Sequence, residues 1–210
     1  MEKIVNDFTI NIATANGTGS QSANLILLNA LFRMGTHASG KNLFPSNIAG
    51  LPTWYIIRVS DNGYQAPGNR THIQVVMNID TWNDDIEGLE PGTVVISNED
   101  VKAPVNRDDI IHYSVPMISM ARKINPKLSK MVANMIYVGI IAEMVEIPQD
   151  ILEEAISKQF NGKEKAIAIN AEASIAGREY FRNELDKEDN FYVEKRDKDE
   201  KQFLIDGNEA

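Results

Sequence analysis

The chain predicts a three-layer, Rossmann-like α/β domain with a mostly parallel sheet, and three observations point there. Short apolar segments alternate with amphipathic ones over its first half, the pattern of strand–helix–strand units. Two of those segments, Ile73 to Met77 and Thr93 to Ser97, run their apolar residues together, as strands buried on both faces do. A glycine-bearing turn, Thr14-Ala15-Asn16-Gly17-Thr18-Gly19-Ser20-Gln21, stands between an apolar strand and an apolar-faced helix.

Taken in order, Phe8 to Ala13 reads as the first strand. Gln21 to Met34 then places Ala23, Ile26, Leu27, Ala30, Leu31 and Met34 on one helical face, a 3.6-residue period. Trp54 to Val59 is rich in β-formers and is closed by Asp61-Asn62-Gly63, a turn signal favouring positive φ. Pro91-Gly92 marks the turn before the strand at Thr93 to Ser97, and Ile110 to Val115 is a further strand stopped by Pro116. Helices follow: Pro126 to Val145, Gln149 to Phe160, and Gly162 to about Arg182. The early alternation leads us to expect helices on both faces of the sheet.

Composition narrows the class of function. A chain of 210 residues with 43% hydrophobic and 24% charged residues can bury a sizeable core. A net charge of −9 argues against a nucleic-acid surface. There is no apolar run of about 20 residues and no signal-peptide h-region, so no membrane association is expected and the protein reads as cytoplasmic. Zero cysteines leaves no disulfide, no thiolate zinc site and no cysteine ligand for an iron–sulfur cluster on this chain. His37, His72 and His112 are scattered without metal-ligand spacing, and Asp84-Asp85 and Asp108-Asp109 fit helix starts or loops better than a metal site. No residue is assigned a catalytic role.

The glycine turn has its own chemistry. A strand-to-helix turn leaves backbone N–H groups unsatisfied at the helix N-terminus, where the macrodipole favours anions. Gly17 and Gly19 would let a ligand approach the backbone without a Cβ in the way. A dinucleotide fingerprint wants a third glycine where Ser22 stands and an acidic residue about 20 residues later, and this chain has neither. NAD is therefore disfavoured, leaving a phosphate or ribose contact, or a tight turn with no ligand.

A second run, Ser39-Gly40-Lys41-Asn42-Leu43-Phe44-Pro45-Ser46-Asn47-Ile48-Ala49-Gly50-Leu51-Pro52-Thr53-Trp54-Tyr55, shows no periodicity. It reads as a stiffened binding loop: Lys41 offers a cation, Asn42 and Asn47 amides, Ser39 and Ser46 hydroxyls, and Pro45 and Pro52 fix the backbone. A surface loop that satisfies only itself is the other reading. Arg58, on the following strand, either points to the same region or forms a simple salt bridge. After Arg182 the composition changes: Glu184 to Lys201 carries eight acidic and five basic residues against Leu185, Phe191, Tyr192 and Val193. That is the composition of a solvated linker.

The two runs together resemble the gamma domain of 2-oxoacid:ferredoxin oxidoreductases, in the version fused to the front of the alpha subunit in 2-oxoglutarate enzymes. Asn16-Gly17-Thr18-Gly19-Ser20-Gln21 matches the family's glycine-rich loop, although many gamma subunits carry an extra glycine where Ser20 stands. The loop with Asn42, Phe44, Ser46 and Asn47 resembles the 2-oxoglutarate type more than the pyruvate type. Val132-Ala133-Asn134-Met135 with Val138-Gly139, and Phe160 through Gly177, extend the similarity over nearly all of residues 8 to 182. Read from the residues alone, Asn134 on a long apolar helix satisfies neighbouring backbone more readily than it binds a ligand.

The resemblance implies coenzyme A binding and covering of an active site built elsewhere. In such enzymes thiamine diphosphate, Mg and the iron–sulfur cluster belong to other domains or subunits, and electrons leave to ferredoxin. The implied site residues are Asn16, Gly17, Thr18, Gly19, Ser20, Lys41, Asn42, Ser46, Asn47 and Arg58. The domains expected are 1–183 (gamma), 184–202 (charged linker) and 203–210, where Asp206-Gly207-Asn208-Glu209-Ala210 resembles the opening of a pyrimidine-binding domain. The implied partners are that domain of the same subunit and a thiamine/iron–sulfur beta subunit. A freestanding nucleotide-binding or assembly module is the alternative. The 2-oxoacid and the oligomeric state, a homo-oligomer included, stay open.

Overall fold

In chain order the elements are β1 (Ile4–Val5), β2 (Phe8–Ala15), α1 (Ser20–Arg33), β3 (His37–Leu43), β4 (Pro52–Ser60), β5 (Ile73–Val76), α2 (Trp82–Glu87), β6 (Val94–Asn98), β7 (Ile111–Val115), α3 (Met117–Ile124), α4 (Ser129–Met144), α5 (Gln149–Phe160), α6 (Glu164–Glu184) and β8 (Phe191–Tyr192). This computed structural model describes residues 2–45, 48–102 and 106–197. Ser46, Asn47 and the run 203–210 lie outside the described residues.

The buried apolar strands assemble as expected. β2 is central, and the sheet runs β3-β4-β2-β5-β6-β7. β2, β5, β6 and β7 are mutually parallel, whereas β3 and β4 form an antiparallel wing. Phe8, Ile10 and Ile12 of β2 share a face with Ile57 and Val59 of β4, because the register pairs Phe8 with Val59 and Ile10 with Ile57. That face packs on α1, α4 and α5 through Ile26, Leu27, Leu31, Ile136 and Ile156 in one continuous core. The other face is covered less than the alternation implied. Among the described residues it carries only the short α2, whose Trp82 and Ile86 pack on Val76 and Val95.

Helices α4 and α6 cross at nearly backbone distance. A Cβ on Gly139 would overlap the carbonyl of Ser174, and one on Gly177 would overlap that of Ile136. α4 is buried all round from Val132 to Ala142, so its lack of amphipathicity reflects enclosure between sheet and helices.

Two expectations need correction, and one helix stands where the sequence reading assigned no element. The segment read as a loop from Ser39 contains an edge strand, with His37 to Leu43 pairing Ser60 to Trp54. Its inner face offers Ala38 to the core, while at Gly40 the Tyr55 ring and Leu28 press against the strand. A helix, α3, follows Pro116, seated by Asn98 Oδ1, which accepts from Met117 N at 3.1 Å, and by Asp100 Oδ2, which accepts from the amides of Ile118 and Ser119 at 2.9 and 3.0 Å.

The charged run after Glu184 docks on the domain through a few of its residues, while Glu194 to Asp197 stay exposed. Phe191 and Val193 are buried, β8 pairs in parallel with β1, and Asn6 exchanges two hydrogen bonds with the backbone of Glu194. Buried Asp189 accepts from Lys187 Nζ at 2.5 Å and from Phe191 N at 3.1 Å. Net charge along a segment says little when two aromatic-flanked apolar residues and an internally paired acid can dock.

Candidate functional site

The chain order places a crevice before any side chain is considered. From β2 the chain passes to the wing on one side of the sheet, and from β5 it passes to β6 on the other. The gap outside the carboxyl ends of β2 and β5 is therefore a topological switch point, where open α/β sheets bind ligands. The glycine turn that follows β2 lies there.

The turn is held from below and from both sides. Thr14 Oγ1 donates to Ser20 Oγ at 2.9 Å, and Thr18 Oγ1 donates to the carbonyl of Ala15 at 2.7 Å. On the wing side Asn16 N donates to Leu51 O, and Gly50 N to Asn16 O, each at 2.8 Å. On the helical side Asn134 Nδ2 of α4 donates to Thr18 O at 2.8 Å. Asn134 thus satisfies backbone, as the residues alone suggested, and the backbone it satisfies is the turn itself. Gly17 and Gly19 take φ of +83° and +80°, values costly for any residue with a Cβ. Below, Tyr137 OH donates to Asn24 Oδ1 of α1 at 2.7 Å, fully buried.

Among the described residues no side chain caps α1: Gly19 occupies the cap position, and no acidic residue stands in the first turn. The first-turn amides are left for a ligand or for water. They border a polar cleft of about 260 Å³ lined by Asn16, Gly17, Gly19, Ser20, Asn42 and Tyr55 among others. Burial pushes the Tyr55 hydroxyl up to about 12, so it stays a neutral donor there. Trp54 borders the same cleft and donates its indole N–H to Asp85 Oδ1 at 2.7 Å, while Thr81 Oγ1 donates to Asp85 Oδ2 at 2.6 Å. Burial raises the Asp85 carboxyl above its ordinary range, and these two donors oppose the shift.

Of the residues named from sequence, Asn16, Gly17, Gly19, Ser20 and Asn42 line this cleft. Thr18 is spent inside the turn. Lys41 is placed otherwise than a binding loop implied. It alternates with Gly40 and Asn42 on β3, so its side chain leaves from the opposite face of the edge strand. Arg58 is the salt-bridged residue and does not reach the cleft. It pairs with Asp7, at the far end of β2 from the turn, and donates to Val59 O. With Arg58 opposite Thr9 and the turn beyond Ala15, six residues at about 3.3 Å each separate them. The site residues named from sequence leave out Thr14, Gln21, Ser22, Asn24, Thr53, Trp54 and Tyr55, which also line the cleft, although all but Ser22 and Asn24 stand in the two runs. Taking Pro52 to Ser60 as a strand paired with β2 would have set Thr53 opposite Thr14, with Tyr55 on the same face as Thr53 and Trp54 on the other.

Helix N-termini at such switch points are where α/β domains can receive anionic or nucleotide ligands. Residues 9–180 match the family described as pyruvate ferredoxin/flavodoxin oxidoreductase, and the chain belongs to that family. Among solved structures it is similar to a 2-oxoglutarate:ferredoxin oxidoreductase from Magnetococcus marinus with 2-oxoglutarate, coenzyme A and succinyl-CoA bound (TM-score 0.83, 24% identity, 94% of this chain and 34% of that one). It also resembles the gamma subunit of a keto/oxoacid ferredoxin oxidoreductase from Geobacter sulfurreducens PCA (TM-score 0.65, 18% identity, 82% and 96%). A third likeness is to pyruvate oxidoreductase subunit PORC from Thermotoga maritima (TM-score 0.64, 19% identity, 83% and 96%). The chain spans about a third of the Magnetococcus polypeptide and nearly all of the two separate subunits. Comparison with curated proteins finds no match.

Proposed function

We propose that this chain is the gamma domain of a 2-oxoacid:ferredoxin oxidoreductase, with 2-oxoglutarate as the acid, and that it binds coenzyme A at the glycine turn and covers the active site. The observation that carries this is the uncapped N-terminus of α1 facing a polar cleft, in a fold similar to a protein with coenzyme A bound. A phosphate at the turn would accept from the first-turn amides, whose partial positive charge stabilises it by up to about 2 kcal/mol when partly buried. Asn16 and Asn42 flank the cleft as amides for ribose or phosphate oxygens.

Thiamine diphosphate, Mg and the iron–sulfur cluster belong in this reading to other parts of the complex. A chain without cysteine has no thiolates for a cluster, and the described residues contain no group of three or more acidic or histidine side chains suited to a metal. The partners are then a pyrimidine-binding domain, a thiamine/iron–sulfur beta subunit and ferredoxin. The segment 184–202 is the connection to that domain, and its described part is docked on this one.

The test is an equilibrium titration of the native protein with coenzyme A and with NADH, alongside its native mass. Preference for coenzyme A and co-isolation with a thiamine-dependent subunit support the proposal. Equal or stronger NADH binding by a protein that arrives alone contradicts it and favours a freestanding module.

A further inference from the structure

The face of the sheet away from α1, α4 and α5 carries a tie across the switch point. Trp54 of β4 stands opposite Ala13 of β2, and Ala13 opposite Val76 of β5, so the three share that face. Val76 lies under Trp82 and Ile86 of α2. β4 and β5 are two strand spacings apart, roughly 10 Å, and Ala13 between them is small enough for the indole to pass over β2. At the far side the indole Nε1–H donates to Asp85 Oδ1 of α2 at 2.7 Å. The antiparallel wing is thereby joined to the parallel half of the sheet.

Asp85 is a costly residue to place there. It is 8% exposed, and a carboxylate so buried is normally paired with a cation. Its hydrogen-bond partners here are neutral donors, one to each oxygen: the Trp54 indole on Oδ1 and the Thr81 hydroxyl on Oδ2 at 2.6 Å. The Thr81 carbonyl in turn accepts from Asp85 N at 2.8 Å, so the acid is fixed at the start of its own helix and reaches out to the wing with its other oxygen. On the wing, Trp54 borders the polar cleft. Only Pro52 and Thr53 separate it from Leu51, whose carbonyl accepts from Asn16 N of the glycine turn at 2.8 Å.

We propose that Asp85 is a positioning residue for the polar cleft: its carboxylate holds the Trp54 indole and through it keeps the β3–β4 wing closed on the glycine turn. Asn42 and the turn, which both line the cleft, then stay at the spacing their ligand requires. For the identity of that ligand the proposal rests on the coenzyme A reading above; the brace itself rests on the geometry.

The experiment measures two quantities on the native protein. One is hydrogen exchange at the amides of Asn16 and Gly50, which make the wing-to-turn contact, read against core amides of β2 to separate local from global opening. The other is coenzyme A affinity. Asp85→Leu removes both acceptor oxygens without emptying the site. It is expected to speed exchange at both amides and to weaken coenzyme A, each at least about tenfold, the factor that loss of a hydrogen bond to a charged group corresponds to. Asp85→Asn keeps an acceptor for the indole and offers Thr81 Oγ1 a donor, and is expected to recover both readouts. Trp54→Phe keeps a ring and loses the N–H; it should speed exchange alike, and adding Asp85→Leu to it should change exchange no further. Unchanged exchange in folded Asp85→Leu overturns the brace, and so do effects that simply add in the double variant. Faster exchange with coenzyme A affinity unchanged overturns its role for the cleft. If the unaltered protein does not bind coenzyme A, the earlier reading fails, and the exchange comparison still decides the brace.

Discussion

The glycine turn is gripped from two sides that could hardly differ more. On one side α4 meets α6 so closely that Gly139 and Gly177 have carbonyls where a Cβ would be, and every residue of α4 from Val132 to Ala142 is buried. On the other, the β3–β4 hairpin touches the turn through backbone hydrogen bonds and exposes Leu43, Phe44, Ile48 and Leu51 at 39 to 63%. One side is a rigid floor, the other an apolar rim beside the cleft. A ligand site of the proposed kind, open to a larger assembly, would need both, since positioning comes from packing and exchange comes from a surface that is not packed on its own domain.

The largest effect is expected from the floor. Gly139→Leu drives a side chain into the backbone of Ser174 and should cost about 3 kcal/mol or more in denaturant unfolding, at the upper end of overpacking costs. A loss under about 1 kcal/mol would mean that the crossing relaxes freely and the floor is not rigid.

Tyr137→Phe comes next. It removes the donor to Asn24 Oδ1 and leaves a buried acceptor unpaired, at about 1–3 kcal/mol. Chemical denaturation checks it, and the double variant with Asn24→Ala should recover part of the loss.

The fold was legible where side chains face one environment. β2, β5 and β6 were read to within one or two residues, because unbroken apolar runs have few alternative homes, and the amphipathic Gln149 to Phe160 was read to the residue. The wing was not legible. Ser39-Gly40-Lys41-Asn42 pairs along an edge where one face meets solvent and the other is filled by a tyrosine ring from the neighbouring strand, so no periodicity marks it. The docked segment to residue 197 was hidden because its stability comes from partners far away in sequence, such as Val145 and Met34, whose carbonyls accept from Val193 N and Arg196 N at 2.8 Å each. At the site, the glycine turn could be read from composition alone, but the sidedness of Lys41 and Arg58 required the register.

A pH dependence sharpens the comparison at the cleft wall. Tyr55 is raised to about 12 by burial, above the ordinary value near 10. Above pH 10 the unfolded chain has released this proton and the folded one has kept it, so the stability Tyr55 contributes is full below pH 10 and falls as pH rises towards 12. Tyr113 and Tyr137 are raised by burial in the same direction. Tyr55→Phe should therefore flatten the alkaline limb of a stability-versus-pH curve in part; an unchanged limb would place the tyrosine ring in solvent.

The smallest effect belongs to the rim. Ile48→Ser, at 63% exposure, should change unfolding stability by no more than about 0.5 kcal/mol. A cost above 1 kcal/mol would show that the hairpin tip is part of the domain core.

The most direct test of the account is Gln21→Glu, in the first turn of α1 and on the wall of the polar cleft. A carboxylate there complements the helix dipole and should raise stability by about 0.3–1 kcal/mol. The same charge opposes a phosphate at the turn, so coenzyme A affinity, measured by titration calorimetry on the native protein, should fall at least about tenfold, or about 1.4 kcal/mol. Stability up and affinity down is the predicted result. Stability up with coenzyme A affinity unchanged would contradict it, because the ligand's phosphates would then lie somewhere other than the glycine turn.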